Sequence, residues 1–188
     1  MYRLFIALTI DEQIKKALHS TLTYLNDFDK TVKPVVTENL HITIQFLGDT
    51  SKEKTEKILQ HLDDLTTLKV INFTAKGLGA FPNIERAFVL WCGIEIDVSQ
   101  LLHVKRAVEK ITSLFGFVPD NKKFHPHITL GRIRKNKKLD SVVVDYFKRN
   151  SDTMFGKSFF SELVLYKSEL TKNGPLYTPL KTIQFQKL

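Results

Sequence analysis

His41-Ile42-Thr43-Ile44 and His127-Ile128-Thr129-Leu130 stand 86 residues apart in a chain of 188. Each tetrapeptide alternates polar and branched apolar residues, the pattern of a half-buried strand. On a strand, residues i and i+2 share a face. Each imidazole therefore lies beside a hydroxyl, while Ile42, Ile44, Ile128 and Leu130 turn toward the core. The chain carries chemistry on one side of a strand and packing on the other, and does so twice.

The elements around the two copies follow one order. Arg3 to Ile10 reads as a buried strand, followed from about Asp11 by a helix with Ile14, Leu18, Leu22 and Leu25 on one face. Asn39 to Leu47 is a strand ending at Gly48. Thr50 and Glu53 form a capping-box pattern ahead of a helix that turns Ile58, Leu62 and Leu65 inward. Val70 to Gly79 is the next strand. The second half gives a strand over Ala87 to Ile96 and a helix from Asp97 with Leu101, Val104, Val108, Ile111 and Phe115 on its stripe. A strand over Ile128 to Ile133, a helix near Leu139 to Arg149 and strands over Phe159 to Leu170 and Tyr177 to Gln186 complete it. Asp97 follows Asp11 by 86 residues and Leu139 follows Ser51 by 88. This period is too long for a solenoid array. It predicts a single domain over 1–188 with pseudo-repeats about 1–82 and 83–188. The fold class is α+β: bilobal, internally duplicated, with two antiparallel sheets flanked by helices and a central cleft carrying the two His-x-Thr strands.

Composition limits the partners. With 28 Lys+Arg against 20 Asp+Glu the chain carries a net charge of +8, which favours polyanions. The single cysteine, Cys92, excludes an internal disulfide framework and a cysteine-based zinc site, so a cytoplasmic protein is expected. Cys92 lies in the apolar run Phe88 to Ile94 and reads as a buried structural thiol. The apolar stretch Leu4 to Leu8 is too short for a signal sequence or a membrane span. No membrane association is expected. His19, His61 and His103 fall on helices and read as surface residues. Asn173-Gly174-Pro175 reads as a turn joining the last two strands.

Two His–Thr pairs converging on one concave site suit hydrolysis or transfer at a phosphodiester. One histidine, neutral, takes a proton from the attacking water; the other, protonated, gives one to the departing oxygen, while Thr43 and Thr129 donate to non-bridging phosphate oxygens. This chemistry needs no metal and no cofactor. Three other readings stand beside it. His125 sits two residues before His127, so His41, His125 and His127 could form a three-histidine site in a metal-dependent hydrolase. The same pocket could instead serve a binding module for RNA or nucleotide ends with little turnover. The same proton transfers, run in reverse, would join RNA ends through a 2′-5′ link, against competition from water. The segment Arg132 to Lys138, following Lys122 and Lys123, has no acid between Asp120 and Asp140; it is either a solvated loop or a track for an RNA backbone.

The residues resemble the two-histidine phosphoesterases, and within them the bacterial and archaeal RNA 2′,3′-cyclic phosphodiesterases once described as 2′-5′ RNA ligases. The likeness runs from Arg3-Leu4-Phe5-Ile6-Ala7-Leu8 through Glu38-Asn39-Leu40-His41-Ile42-Thr43, Phe46-Leu47-Gly48, Gly79-Ala80-Phe81-Pro82 and Val89-Leu90-Trp91. It continues with Phe124, Pro126-His127-Ile128-Thr129-Leu130, Arg132, Ser168, Leu170, Gly174-Pro175 and Tyr177. The resemblance implies metal-independent opening of a ribose 2′,3′-cyclic phosphate, at an RNA 3′ end or on a small nucleotide, to a 2′-phosphate; separately, a monomer is expected. It implies His41 as proton donor to O3′ and His127 as proton acceptor from water. It also implies Thr43 and Thr129 as phosphate ligands, Arg132 as a nearby cation and Phe46 as a base-stacking or wall residue. One departure is visible: Asn83, Ile84 and Glu85 precede Arg86 where the family has a basic loop.

Overall fold

In the computed structural model, which describes residues 1–119, 123–172 and 174–187, β1 (Tyr2–Thr9) is buried along almost its whole length. It lies inside a four-stranded antiparallel sheet, between β3 (His41–Thr50) and β8 (Glu162–Thr171), with β9 (Gly174–Gln184) on the far edge. The second sheet has five strands in the order β2 (Val32–Pro34), β6 (His127–Ile133), β5 (Val89–Ile96), β4 (Ile71–Phe81) and β7 (Met154–Phe160). All its ladders are antiparallel too. The described residues form four helices, α1 (Glu12–Asn26), α2 (Lys52–His61), α3 (Val98–Ser113) and α4 (Ser141–Arg149), and the fold is α+β and bilobal. Among the described residues no helix is long and apolar enough to cross a membrane.

Each sheet draws on both halves of the chain. β4, from the first half, lies between β5 and β7; β8, from the second, lies between β1 and β9. The long helices cross in the same way. The α1 stripe Ile14, Leu18, Leu22 and Leu25 is fully buried, and α1 packs against β2 and β7 of the five-stranded sheet. Its N-cap Asp11 accepts from Ile14 N and also from the Ser158 hydroxyl on β7. Thr21 bonds the Tyr146 hydroxyl of α4 at 3.1 Å, and Tyr24 stacks on the same ring at 4.3 Å. Conversely α3, buried through Leu101, Val104, Val108 and Ile111, covers the four-stranded sheet, where Thr112 donates to Gln45 of β3 at 2.8 Å. The exchange means that neither sheet keeps its cover if the lobes separate.

Four features differ from the sequence expectation. The N-cap of α2 is Ser51, whose hydroxyl accepts from Lys54 N at 3.2 Å; Thr50 is instead the buried end of β3. That helix stops at His61, and Leu62 and Leu65 are buried from a 3₁₀ segment. The expected strand Phe159 to Leu170 is two strands, β7 and β8, in different sheets, parted at Ser161. The fourth, β2, has no counterpart in the sequence reading. His19 and His103 are exposed as read, whereas His61 is half-buried with its ring 5.2 Å from Phe115. Asp120, Lys122 and Asn173, named in the sequence reading, lie outside the described residues. Cys92 is buried, and burial pushes its thiol up to about 12, so it stays protonated and unreactive.

Candidate active site

β2 brings the two motifs together. It pairs with β6, placing Pro34 opposite Gly131 and Lys33 opposite Arg132, and the ladder is extended by Val35 N donating to Leu130 O at 2.8 Å. One helical turn over Thr37–Asn39 then delivers the chain to His41 at the start of β3. The two motif strands consequently belong to different sheets, rather than lying side by side in one, and approach each other across the cleft.

Both imidazoles are held alike. Nδ1 of His41 donates to the carbonyl of Asn39 at 2.7 Å, and Nδ1 of His127 donates to the carbonyl of His125 at 2.7 Å. A carbonyl only accepts, so each Nδ1 carries the hydrogen and each Nε2 is the atom free for proton exchange. His41 Nε2 lies 3.1 Å from the Thr43 hydroxyl. Thr43 and Thr129 are half-buried on the same faces as their histidines, while Ile42, Ile44, Ile128 and Leu130 are buried behind them.

A bulge in each strand extends these faces. Ile44 drops out of the β1–β3 register and Leu130 out of the β5–β6 register. The extra residue reverses the alternation. Phe46 and Arg132, themselves 86 residues apart, therefore emerge exposed on the sides that carry His41-Thr43 and His127-Thr129. The cation and the aromatic ring occupy equivalent places in the two copies.

Aromatic rings fix the imidazoles from the side. Phe5 lies 5.1 Å and Tyr177 5.5 Å from the His41 ring, the latter edge-on. Phe81 meets the His127 ring edge-on at 4.9 Å and stands 5.3 Å from Trp91. Trp91 in turn lies flat over Gly79: a Cβ there would sit 2.2 Å from the indole ring. Gly79→Ala is therefore expected to cost about 1–3 kcal/mol, as overpacking does. Urea unfolding followed by the emission of Trp91, the sole tryptophan, measures it directly.

Burial is the main cause that holds the His41 imidazole below its ordinary pKa, opposed by the Asn39 carbonyl and reinforced by the charges of His127 and Arg132. His127 is lowered by burial, against the His125 carbonyl, with Arg132 and His125 adding to the depression. The Arg132 charge thus acts on both rings, and this field favours an anion between them. His125 itself is exposed, its ring 6.2 Å from Phe81. Among the described residues no three His, Cys, Asp or Glu side chains are grouped to hold a metal ion.

Sequence reasoning named both histidines, both threonines, Arg132 and Phe46, and the structure brings His41, His127 and Arg132 within each other's electrostatic reach. It assigned no site role to Asn39, Phe81 or Tyr177. The signal for Tyr177 was present in the spacing, since it follows Trp91 by 86 residues.

A duplicated α+β fold presenting two tautomer-fixed imidazoles, each with a hydroxyl two residues on, and one shared arginine defines a two-histidine phosphoesterase. The chain belongs to the LigT-like phosphoesterase family, whose model matches it twice, over residues 8–91 and 94–177. It is 35% identical, over 95% of its length and 98% of the relative's, to the RNA 2′,3′-cyclic phosphodiesterase of Methanocaldococcus jannaschii. Among solved structures it resembles a protein of Thermus thermophilus (TM-score 0.79, 28% identity, 97% of both chains). It also resembles Escherichia coli LigT in complex with 3′-AMP (TM-score 0.73, 25% identity, 98% of both chains).

Proposed function

We propose that the protein is a cytoplasmic, monomeric hydrolase that opens 2′,3′-cyclic phosphates of RNA 3′ ends or small nucleotides to 2′-phosphates, with His41 and His127 as its acid–base pair. One observation carries the reading: two imidazoles with their Nδ1–H atoms tied to carbonyls, leaving Nε2 of each for the cleft, beside a single arginine that acts on both. The activity agrees with the name of the M. jannaschii relative, and a nucleotide ligand with the complex of the E. coli protein.

In this mechanism neutral His127 accepts a proton at Nε2 from water as its oxygen bonds to phosphorus. Protonated His41 gives its Nε2 proton to O3′ as the P–O3′ bond breaks. A protonated His41 has both N–H groups placed before substrate arrives, one on the Asn39 carbonyl and one on the Thr43 hydroxyl. That pre-arrangement suits the donor. Thr43, Thr129 and Arg132 hold the non-bridging oxygens where negative charge develops, and Phe46 offers an exposed ring to the base. One proton enters the pair from water and one leaves it to O3′, so the step balances with the two protonation states exchanged, and proton exchange with solvent restores them before the next turnover.

The test is hydrolysis of adenosine 2′,3′-cyclic phosphate in excess EDTA with the product isomer separated by chromatography. Full turnover to the 2′-phosphate is expected. A 3′-phosphate product would make O2′ the leaving oxygen, and loss of activity restored by zinc would overturn the metal-free mechanism.

A further inference from the structure

Counted by the 86-residue offset, Arg132–Lys138 corresponds to Phe46–Lys52. The first copy reads Phe-Leu-Gly-Asp-Thr-Ser-Lys, with one cation and one acid. The second reads Arg-Ile-Arg-Lys-Asn-Lys-Lys, with five cations and no acid. The same place in the repeat is thus built without that charge, so the fold does not require it. In the first copy β3 runs on to Thr50 and Ser51 caps α2. In the second β6 ends at Ile133, and a turn with Asn136 at φ 60° leaves residues 134 to 138 exposed.

The turn is anchored rather than loose. Arg134 N donates to Thr31 O at 2.8 Å, Arg134 Nε to Asp29 O at 2.6 Å, and Lys137 N to Arg134 O at 3.0 Å. Lys33, the cross-strand partner of Arg132, shares its face at the edge of the sheet and reaches toward Gly174 of β9. Among the described residues none of Lys33, Arg132, Arg134, Lys135, Lys137 and Lys138 forms an ion pair. Asp140, which follows the segment, accepts from the Thr31 hydroxyl at 3.2 Å. Phe88 stands beside the ribbon, 70% exposed, with its carbonyl accepting from Ile133 N. Cations tracking a backbone with an open ring alongside are what a single nucleic-acid strand binds.

We propose that Lys33, Arg134, Lys135, Lys137 and Lys138 form a track for the phosphates of the RNA upstream of the reacting end. The strand enters the cleft at Arg132, and Phe88 stacks on a base. Residues 132 and 134 lie about 6.6 Å apart along an extended backbone, a step suited to successive phosphates. The track makes an RNA chain a better substrate than a mononucleotide. The proposal rests on the reading of the cleft as a cyclic-phosphate site.

The experiment compares the protein with a Lys135→Gln/Lys137→Gln/Lys138→Gln variant. Substrates are adenosine 2′,3′-cyclic phosphate and an eight-nucleotide RNA ending in that group, across a range of KCl concentrations. For the RNA, kcat/KM is expected to fall about tenfold or more at low salt, and its log–log salt slope to shrink by about 2 at roughly 0.7 per lost phosphate contact. For the mononucleotide it is expected to stay within about twofold, because the three lysines stand on the exposed turn after β6 and not on the motif strands. Equal loss on both substrates, or no loss on either, overturns the track. Anisotropy with the same RNA ending in a 3′-hydroxyl separates the two readings. Should neither cyclic substrate turn over, weaker RNA binding by the variant still upholds the track while the cyclic-phosphate reading falls, and unchanged binding overturns the track.

Discussion

Replacing His41 or His127 singly with alanine is expected to lower kcat for adenosine 2′,3′-cyclic phosphate by about 10²–10⁴, the usual share of positioned acid–base catalysis. That is about 3–5 kcal/mol of transition-state stabilisation. KM should move little, since the threonines and Arg132 still meet the phosphate. The two imidazoles act in one proton circuit, so the double variant should be barely worse than the poorer single one, as for groups that work as a unit. Both side chains line the cleft rather than the core, and since Asn39 is only half-buried and His125 exposed, water is expected to replace the donor that each carbonyl loses. Unchanged thermal midpoints should accompany the loss. Either variant keeping more than about a tenth of the rate would remove that histidine from the chemistry.

The helices that cover the sheets were legible because their stripes are long. Ile14, Leu18, Leu22 and Leu25, and Leu101, Val104, Val108 and Ile111, are all buried. What stayed hidden has physical causes. Val32-Lys33-Pro34 reads poorly as a strand because Pro34 lacks an N–H, yet β2 is an edge strand, where proline is tolerated. The passage from β7 to β8 occurs at Ser161 with no Gly or Pro to mark it, so the run from Phe159 to Leu170 looks continuous. Whole-sheet membership, with β4 and β8 exchanged between lobes, depends on contacts between residues far apart in the chain. No local pattern encodes those.

The site shows the same division. Each His-x-Thr face follows from alternation alone. Phe46 and Arg132 stand five residues beyond their histidines, an odd number, so strict alternation would put them on the core side. The bulges at Ile44 and Leu130 correct the parity, and bulges are not readable from one sequence. The resemblance to known phosphoesterases put these two positions in the site; apart from it, Arg132 stood out only as the head of a basic segment. The rings of Phe5 and Phe81 come from strands outside the motifs, and packing reveals them as walls; Tyr177 was marked in the sequence only by its 86-residue spacing from Trp91.

Arg132→Gln should lower kcat/KM for the cyclic nucleotide by about 10²–10³, the effect of losing one donor to developing oxyanion charge. The same substitution carries a second signature that a purely structural role would not produce. The arginine charge depresses both imidazoles, so its removal lets both rise toward their ordinary values in the free enzyme. Activity grows with pH as the base loses its proton and fades as the acid loses its own. Raising both pKa values therefore moves the entire bell of kcat/KM to higher pH. Bound phosphate acts in the same direction on the native protein, because an anion favours imidazolium; its kcat profile should lie alkaline of its kcat/KM profile. In the variant the rise from losing the arginine is already present before substrate binds. A kcat/KM bell that keeps its position in Arg132→Gln, whatever the loss in height, would mean that the guanidinium does not act on the histidines and that its place is at the mouth of the cleft rather than in it.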